Sequence, residues 1–359
     1  MRNVRGSSDS IVIAGGLAAL IFASWLPLPA RAQTDPVEDT SVTVTRIEGP
    51  KEGDLRGLFA VGEGTAWIFL KQEILKVEPQ GNRLVTVGRI EEIKIEQLWM
   101  VAGGGSLWIV GEAHKVDGIH RIDPTTGNCI AAIALQQKRG PISSGYGLGS
   151  LWVLDELDGT IVRIDPNTNQ VAATFNVGKG PWAHVQIGDD AVWVMGSENG
   201  VMKRIDPRLN KVVEEFSVGK PQKNGFFASA FGRGGSYSFS YGEGSLWVSD
   251  IDDKDNGRGG LVRIDPNTHE RVATFKYLGA PTFWKGFAWV SNWLGSRTGN
   301  LVIKIDPKTN KLWGRMLLPV ERTPFGGSGT EPVSLLADND SLWVFSEGGR
   351  LLIRRIQLK

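Results

Sequence analysis

The sequence predicts an all-β protein, a seven-bladed β-propeller of four-stranded antiparallel blades. Three observations carry that prediction. Tryptophan recurs at positions 67, 108, 152, 193, 247, 289 and 343, each time inside a short apolar run. The first six are each followed by Ile-Asp-Pro or a variant: Val77-Glu78-Pro79, then 122–124, 164–166, 205–207, 264–266 and 305–307. The seventh unit ends in Ile356-Gln357-Leu358 and lacks a fourth strand, while an unclaimed strand stands at the N-terminal side. A repeat of about 40 to 50 residues holding several short strands is how a propeller reads in sequence.

Taken in order, residues 1–32 read as a signal peptide. Arg2 and Arg5 give a basic start, residues 11–26 are apolar, and Ala30-Arg31-Ala32 offers a cleavage site. The apolar run is shorter than the ~20 residues of a membrane span, and Pro27 and Pro29 follow it. Residues 33–40 are polar, contain Pro36 and read as a linker. Residues 41–49 alternate with the strand period of two and resemble the last strand of the unit at 151–178. They would supply the missing fourth strand. Residues 41–359 then close into a ring with strands from both ends and no open sheet edge.

Within a unit the innermost strand comes first, at 55–61, 97–102, 142–148, 181–187, 236–241, 281–285 and 332–337. The second strand carries the Trp, expected to pack between blades because each blade buries both faces. The third is Val-x-Arg-Ile, whose basic residue recurs with the unit and reads as scaffold. The fourth is of the Val-Ala-Thr-Phe kind. Asp-Pro-Asn-Thr supplies an Asx turn with Pro at its favoured position, then an Asn or Gly that tolerates positive φ. Gly-x-Gly-Ser turns the first strand into the second. These two regular turns share one rim. The second-to-third loops and the connections between blades share the other, and the length variation falls there, at 220–235, 249–260, 291–299 and 320–331. Function in repeat folds sits on the face with irregular insertions. The expected site is therefore the channel mouth on that rim, toward blades four to seven.

A formal net charge of +1 gives no global case for nucleic acid or for an anionic membrane surface. Cys129 is the only cysteine, so no intrachain disulfide, cysteine-pair haem attachment or zinc knuckle can form. It reads as a structural filler on an outer strand.

The framework Gly-x-Gly-Ser-Leu-Trp-Val with Val-x-Arg-Ile-Asp-Pro-x-Thr-x-x-Val-x-Ala-Thr-Phe-x-Val-Gly resembles the YVTN-type seven-bladed propellers. It is also similar to the related streptogramin (virginiamycin B) lyase group, and the resemblance covers residues 41–359. The first group implies an exported protein with a binding or accessory role. The second implies a metal held by carboxylate and histidine side chains at the channel mouth and elimination of an ester. The lyases' blade strand reads Leu-Trp-Phe-Thr-Glu. Here the corresponding segments are Leu151-Trp-Val-Leu-Asp155 and Leu246-Trp-Val-Ser-Asp250.

The candidates for chemistry are few. Of four histidines, His184 lies on an innermost strand, where it could reach the channel as a base or metal ligand. Its alternative is a histidine bonded between blades. His269 falls in a regular turn and reads as solvated. The loop Asp250-Ile-Asp252-Asp253-Lys-Asp255 is rich in oxygen donors of the kind that suit calcium or magnesium. Lys254 stands where a ligand would be needed, so a solvated acidic loop is the first reading. Trp99, Tyr146, Trp182, Tyr237, Trp284 and Trp293 lie outside the repeating Trp position and could stack on a ring. Their alternative is packing between blades. Arg233 and Arg258 could add an anion contact.

The expectation that follows is an exported monomeric propeller that binds a partner protein or small ligand at the irregular rim without turnover. After signal cleavage it would hold to no membrane, and it would reside in the periplasm or outside the cell. One rival is a metal-assisted lyase or hydrolase using His184 with Asp155 and Asp250. Another is an accessory propeller of a periplasmic redox system.

Overall fold

Among the described residues, twenty-eight strands form seven four-stranded sheets and no helix is present. The computed structural model describes residues 41–48, 58–78, 83–90, 99–113, 116–135, 142–180, 182, 184–196, 199–219, 238–251, 260–275, 279–292, 299–319, 333–347 and 351–359. The expected signal peptide and linker, residues 1–40, lie outside them, as do most of the long irregular connections.

Strand β1 (Val42–Glu48) pairs antiparallel with β28 (Leu351–Leu358), from Val42 opposite Leu358 to Glu48 opposite Leu352. It completes blade seven as its outermost strand, as expected. The innermost strands touch their neighbours in chain order. The last, β26 (Val333–Ala337), meets the first, β2 (Leu58–Gly62), which closes the ring. One expected inner strand is shorter than its sequence suggested. In blade four the ladder spans Gln186–Ile187, with a single bridge from Trp182 to Gly196 upstream.

The apolar core is divided among the blade interfaces. Each of seven buried clusters draws on two adjacent blades, such as Trp67, Phe69 and Ile74 of blade one with Met100, Leu107 and Ile109 of blade two. No repeating Trp is more than 2% exposed. In blades one, two, three, five and six its indole N–H donates to the carbonyl five residues earlier, at 3.1–3.4 Å. In blade seven the acceptor is the Asp338 carboxylate. A buried indole needs such a partner, so the turn and the Trp are coupled features of the repeat.

The basic residue before Ile-Asp is indeed framework. In every blade a Lys or Arg lies 5.0–5.9 Å over the Trp ring. Arg121, Arg163 and Arg263 also clamp one blade to the next. Nε donates to the turn serine of their own blade, Ser106, Ser150 and Ser245. Nη1 donates to the carbonyl of Pro166, Pro207 or Pro307 and to the side chain of Asn169, Asn210 or Asn310 in the following blade. Those asparagines have φ of 50–55°, the tolerant position foreseen after Asp-Pro. In blade five His269 takes that place with φ 62°. It is not solvated as expected. Its ring stacks on Phe216 at 3.8 Å and Nε2 lies 2.9 Å from Glu214. Arg204, the residue that would clamp this turn, pairs instead with Asp190 at 2.7 Å.

Third and fourth strands slip register by one residue beside that basic residue. Such a bulge leaves one outer-strand residue unpaired. Here these are Ile130, Ala172, Val213, Val272 and Trp313, which accounts for four of the exposed apolar side chains.

The Asx turns carry a pH dependence. Backbone amides of Arg208 and Leu209 on Asp206, and of Asn267 and Thr268 on Asp265, hold these carboxyls below the usual range. Their stabilisation is present above the unfolded value near ~4 and is lost as pH falls through the lower folded values. The unfolding midpoint is expected to drop below about pH 4. Asp265→Ala should have a lower midpoint at pH 7 and a shallower acid limb, read by circular dichroism melts from neutral pH to pH 2.

Candidate functional site

On the rim that carries the second-to-third loops and the blade connections, the described residues include the blade-three loop and most of the connection into blade four. The loop after the second strand of blade three is Asp155–Gly159. Asp155, 3% exposed, accepts the amides of Leu157 and Asp158 on Oδ1 at 3.0 and 3.1 Å. The connection into blade four is stapled to this loop. Val177 N–H donates to Gly159 O, Gly180 N–H to Leu157 O and Trp182 N–H to Glu156 O, at 2.8–2.9 Å. Glycine is required at 180, because a Cβ there would collide with the Glu156 carbonyl. Val185 N–H donates to Ser143 Oγ on the inner strand of blade three at 3.0 Å.

This braced loop pair positions His184 at the mouth. Its Nδ1 lies 3.3 Å from Glu156 Oε1, and its ring lies 5.2 Å from that of Trp99 at 42°. His184 is 47% exposed and Glu156 17%. Three blades thus contribute one side chain each: Trp99 at the start of the blade-two inner strand, Glu156 from the blade-three loop and His184 from the entry to blade four. A carboxylate on Nδ1 keeps the proton there and leaves Nε2 as the acceptor. The arrangement can hold a ring against Trp99 and bond a polar edge to the imidazole.

The other expected residues are dispersed. Asp155 accepts the amides of its own loop on Oδ1. Trp182 is 5% exposed; it donates to Gly178 O at 2.7 Å and lies under the Lys203 ammonium. Trp284 is 3% exposed and belongs to the cluster between blades six and seven. Both are packing residues and present no stacking face. Tyr146 stands at the regular rim, stacked on Trp108 at 6.5 Å, and its burial raises the phenol pKa. It belongs to a second repeating position, six residues before the Trp. There Tyr146, Tyr241 and Phe283 pack on Gly103, Gly188 and Gly242 of the preceding blade. For Tyr146 this is the alternative given above, packing between blades.

Tyr237, Trp293, Arg233, Arg258, Asp252, Asp253 and Asp255 lie outside the described residues. Asp250 ends the second strand of blade five, and its side chain is likewise outside them. Among the described residues no three His, Cys, Asp or Glu side chains gather as a metal site. The Cys129 thiol is pushed up by burial, the wrong direction for a nucleophile. Glu156, which in sequence reads only as part of a short solvated acidic run at 155–158, is here the partner of His184. Its signal is indirect, in Gly159, Gly178 and Gly180, which let the loop and the connection approach.

No family model and no curated protein matches the sequence. Solved structures do resemble the chain. A catalytically inactive virginiamycin B lyase from Staphylococcus aureus, with quinupristin, is 15% identical with a TM-score of 0.62 over 89% of this chain and 100% of that one. A streptogramin B lyase structure is 16% identical, with a TM-score of 0.63 over 89% and 98%. The fold is that of a streptogramin lyase-like propeller. BamB from Moraxella catarrhalis is a more distant likeness, 13% identical with a TM-score of 0.50 over 84% and 82%. At these identities the likeness to lyase-like propellers is one of fold. Among the described residues no helix is long and apolar enough to cross a membrane.

Proposed function

We propose that the protein is an exported propeller that binds a ligand or partner at its irregular rim without turning it over. The observation that carries this reading is His184, half exposed and held between the Glu156 carboxylate and the Trp99 ring. A fixed imidazole, a carboxylate and an aromatic face in one place suit a ligand with a flat apolar part and a hydrogen-bonding edge. Export rests on the basic start, the apolar run and Ala30-Arg31-Ala32.

A thermal-shift screen of aromatic, sugar and peptide ligands, with and without magnesium or calcium, tests it. Ligands that raise the wild-type midpoint should lose their effect in Trp99→Ala and His184→Ala, both of which truncate partly exposed side chains. Ligand shifts unchanged in both variants would move the site elsewhere.

The Glu156–His184 pair also supports a second reading, since a carboxylate-oriented imidazole is a proton acceptor. That reading is a lyase or hydrolase of the kind seen with quinupristin. Mass spectrometry of quinupristin incubated with the protein and magnesium separates the two. The binding reading expects unchanged quinupristin. Conversion that vanishes in His184→Ala would replace it.

A further inference from the structure

A cavity of about 400 Å³ opens on the regular rim between blades three and four, lined by Leu148, Arg163, Asp190, Pro207 and Arg208. Two departures from the adjacent blades explain it. At the neighbouring interfaces the residue six before the Trp is a tyrosine that reaches across to the turn of the preceding blade. Tyr146 covers Gly104, and the Tyr241 hydroxyl donates to Asp189 at 3.1 Å. At this interface the residue is Ile187, which packs on Gly147 and has no ring to extend over Leu148. The second departure is Leu148 itself. It occupies a turn position with φ 52°, where the equivalent residues are Glu63, Gly104, Glu243 and Lys285. A bulky apolar residue is strained in that conformation. The place a tyrosine ring fills next door is therefore open and apolar-walled here.

The charges around it favour an anion. Arg163 lies over Trp152 and is anchored by Ser150 and Asn210, so its guanidinium is fixed at the wall. Arg208 is 90% exposed, with the Asp206 carboxylate 3.7 Å away. Asp190 is already paired with Arg204 at 2.7 Å. Two guanidiniums line the cavity with one carboxylate, Asp190, that has its own cation, and Arg208 is shared with Asp206 outside the lining. We infer that this cleft is a second binding site, separate from the channel mouth, for a small aromatic carboxylate. The ring takes the volume that Tyr146 and Tyr241 fill elsewhere, between Leu148 and Pro207. The carboxylate meets Arg208 and Arg163, the geometry guanidinium groups recognise.

Isothermal titration of the full chain with 4-hydroxybenzoate is the test. Saturable binding is expected to wild type and equally to Trp99→Ala, whose side chain is not among those lining the cleft. Ile187→Tyr, which restores the residue used by the adjacent blades, should fold normally and lose binding. Arg208→Ala should weaken binding about tenfold, as expected for one charge-assisted hydrogen bond. Cationic benzamidine should not bind. The inference fails if wild type shows no saturable binding, if Ile187→Tyr binds as well as wild type, or if benzamidine is preferred. Should Ile187→Tyr not fold, unchanged affinity in the exposed Arg208→Ala overturns it equally.

Discussion

Ile47→Ala is expected to destabilise the propeller by about 2–5 kcal/mol, the range for a large-to-small change in a packed core. Ile47 is 1% exposed and sits in the cluster that joins blades seven and one, with Ile68, Trp343 and Ile353. It belongs to the one strand that joins the two ends of the ring. Removing its side chain loosens both the β1–β28 ladder and the interface between the first and last blades. The equivalent burial inside a middle blade is backed by covalent continuity on both sides. Deleting residues 1–48 should go further and expose the edge of β28, giving aggregation in place of a cooperative transition. Urea denaturation of Ile47→Ala and light scattering of the deletion check both outcomes.

The second large effect concerns the clamp between blades. Arg263→Ala removes three hydrogen bonds and the cation over Trp247, and it strips a donor from the Pro307 carbonyl and Asn310 in the next blade. The guanidinium is partly buried, and burial pulls its pKa down against the pull of Glu243 and Asp265. A loss of about 2–4 kcal/mol is expected, because bonds to charged groups are worth ~1.5–3 kcal/mol each and do not add fully. Arg204→Ala is the contrast. Its partner Asp190 is 70% exposed, and it makes no clamp to blade five, so the loss should stay within about 1 kcal/mol. Equal losses in the two variants, measured by urea denaturation, would mean that the clamp is not what holds adjacent blades together.

The fold was legible because the residues that specify it are repeated. Trp, the turn Ser, Arg and Asp-Pro-x-Thr-Asn are one hydrogen-bonded unit, and a motif copied along the chain is visible without coordinates. The site was legible in part. His184 and Trp99 stand at the mouth, where the innermost strands begin. Glu156 was hidden because what places it is backbone bonding between a loop and a distant connection, which leaves no periodic trace. Tyr146 could not be assigned to packing from sequence for the opposite reason. The position six before the Trp holds Val61, Ala102, Tyr146, Ile187, Tyr241, Phe283 and Ala337, a packing slot too varied to recognise as a repeat. The same variation, read with the structure, marks the cleft over Leu148.

The channel mouth is the centre of the account, and a crystal series soaked with small aromatic and polar fragments tests it most directly. Fragment density is expected against the Trp99 ring within hydrogen-bonding distance of His184, absent from crystals of His184→Ala. Fragments bound at other places on the ring, with the space between Trp99, Glu156 and His184 empty throughout, would contradict it.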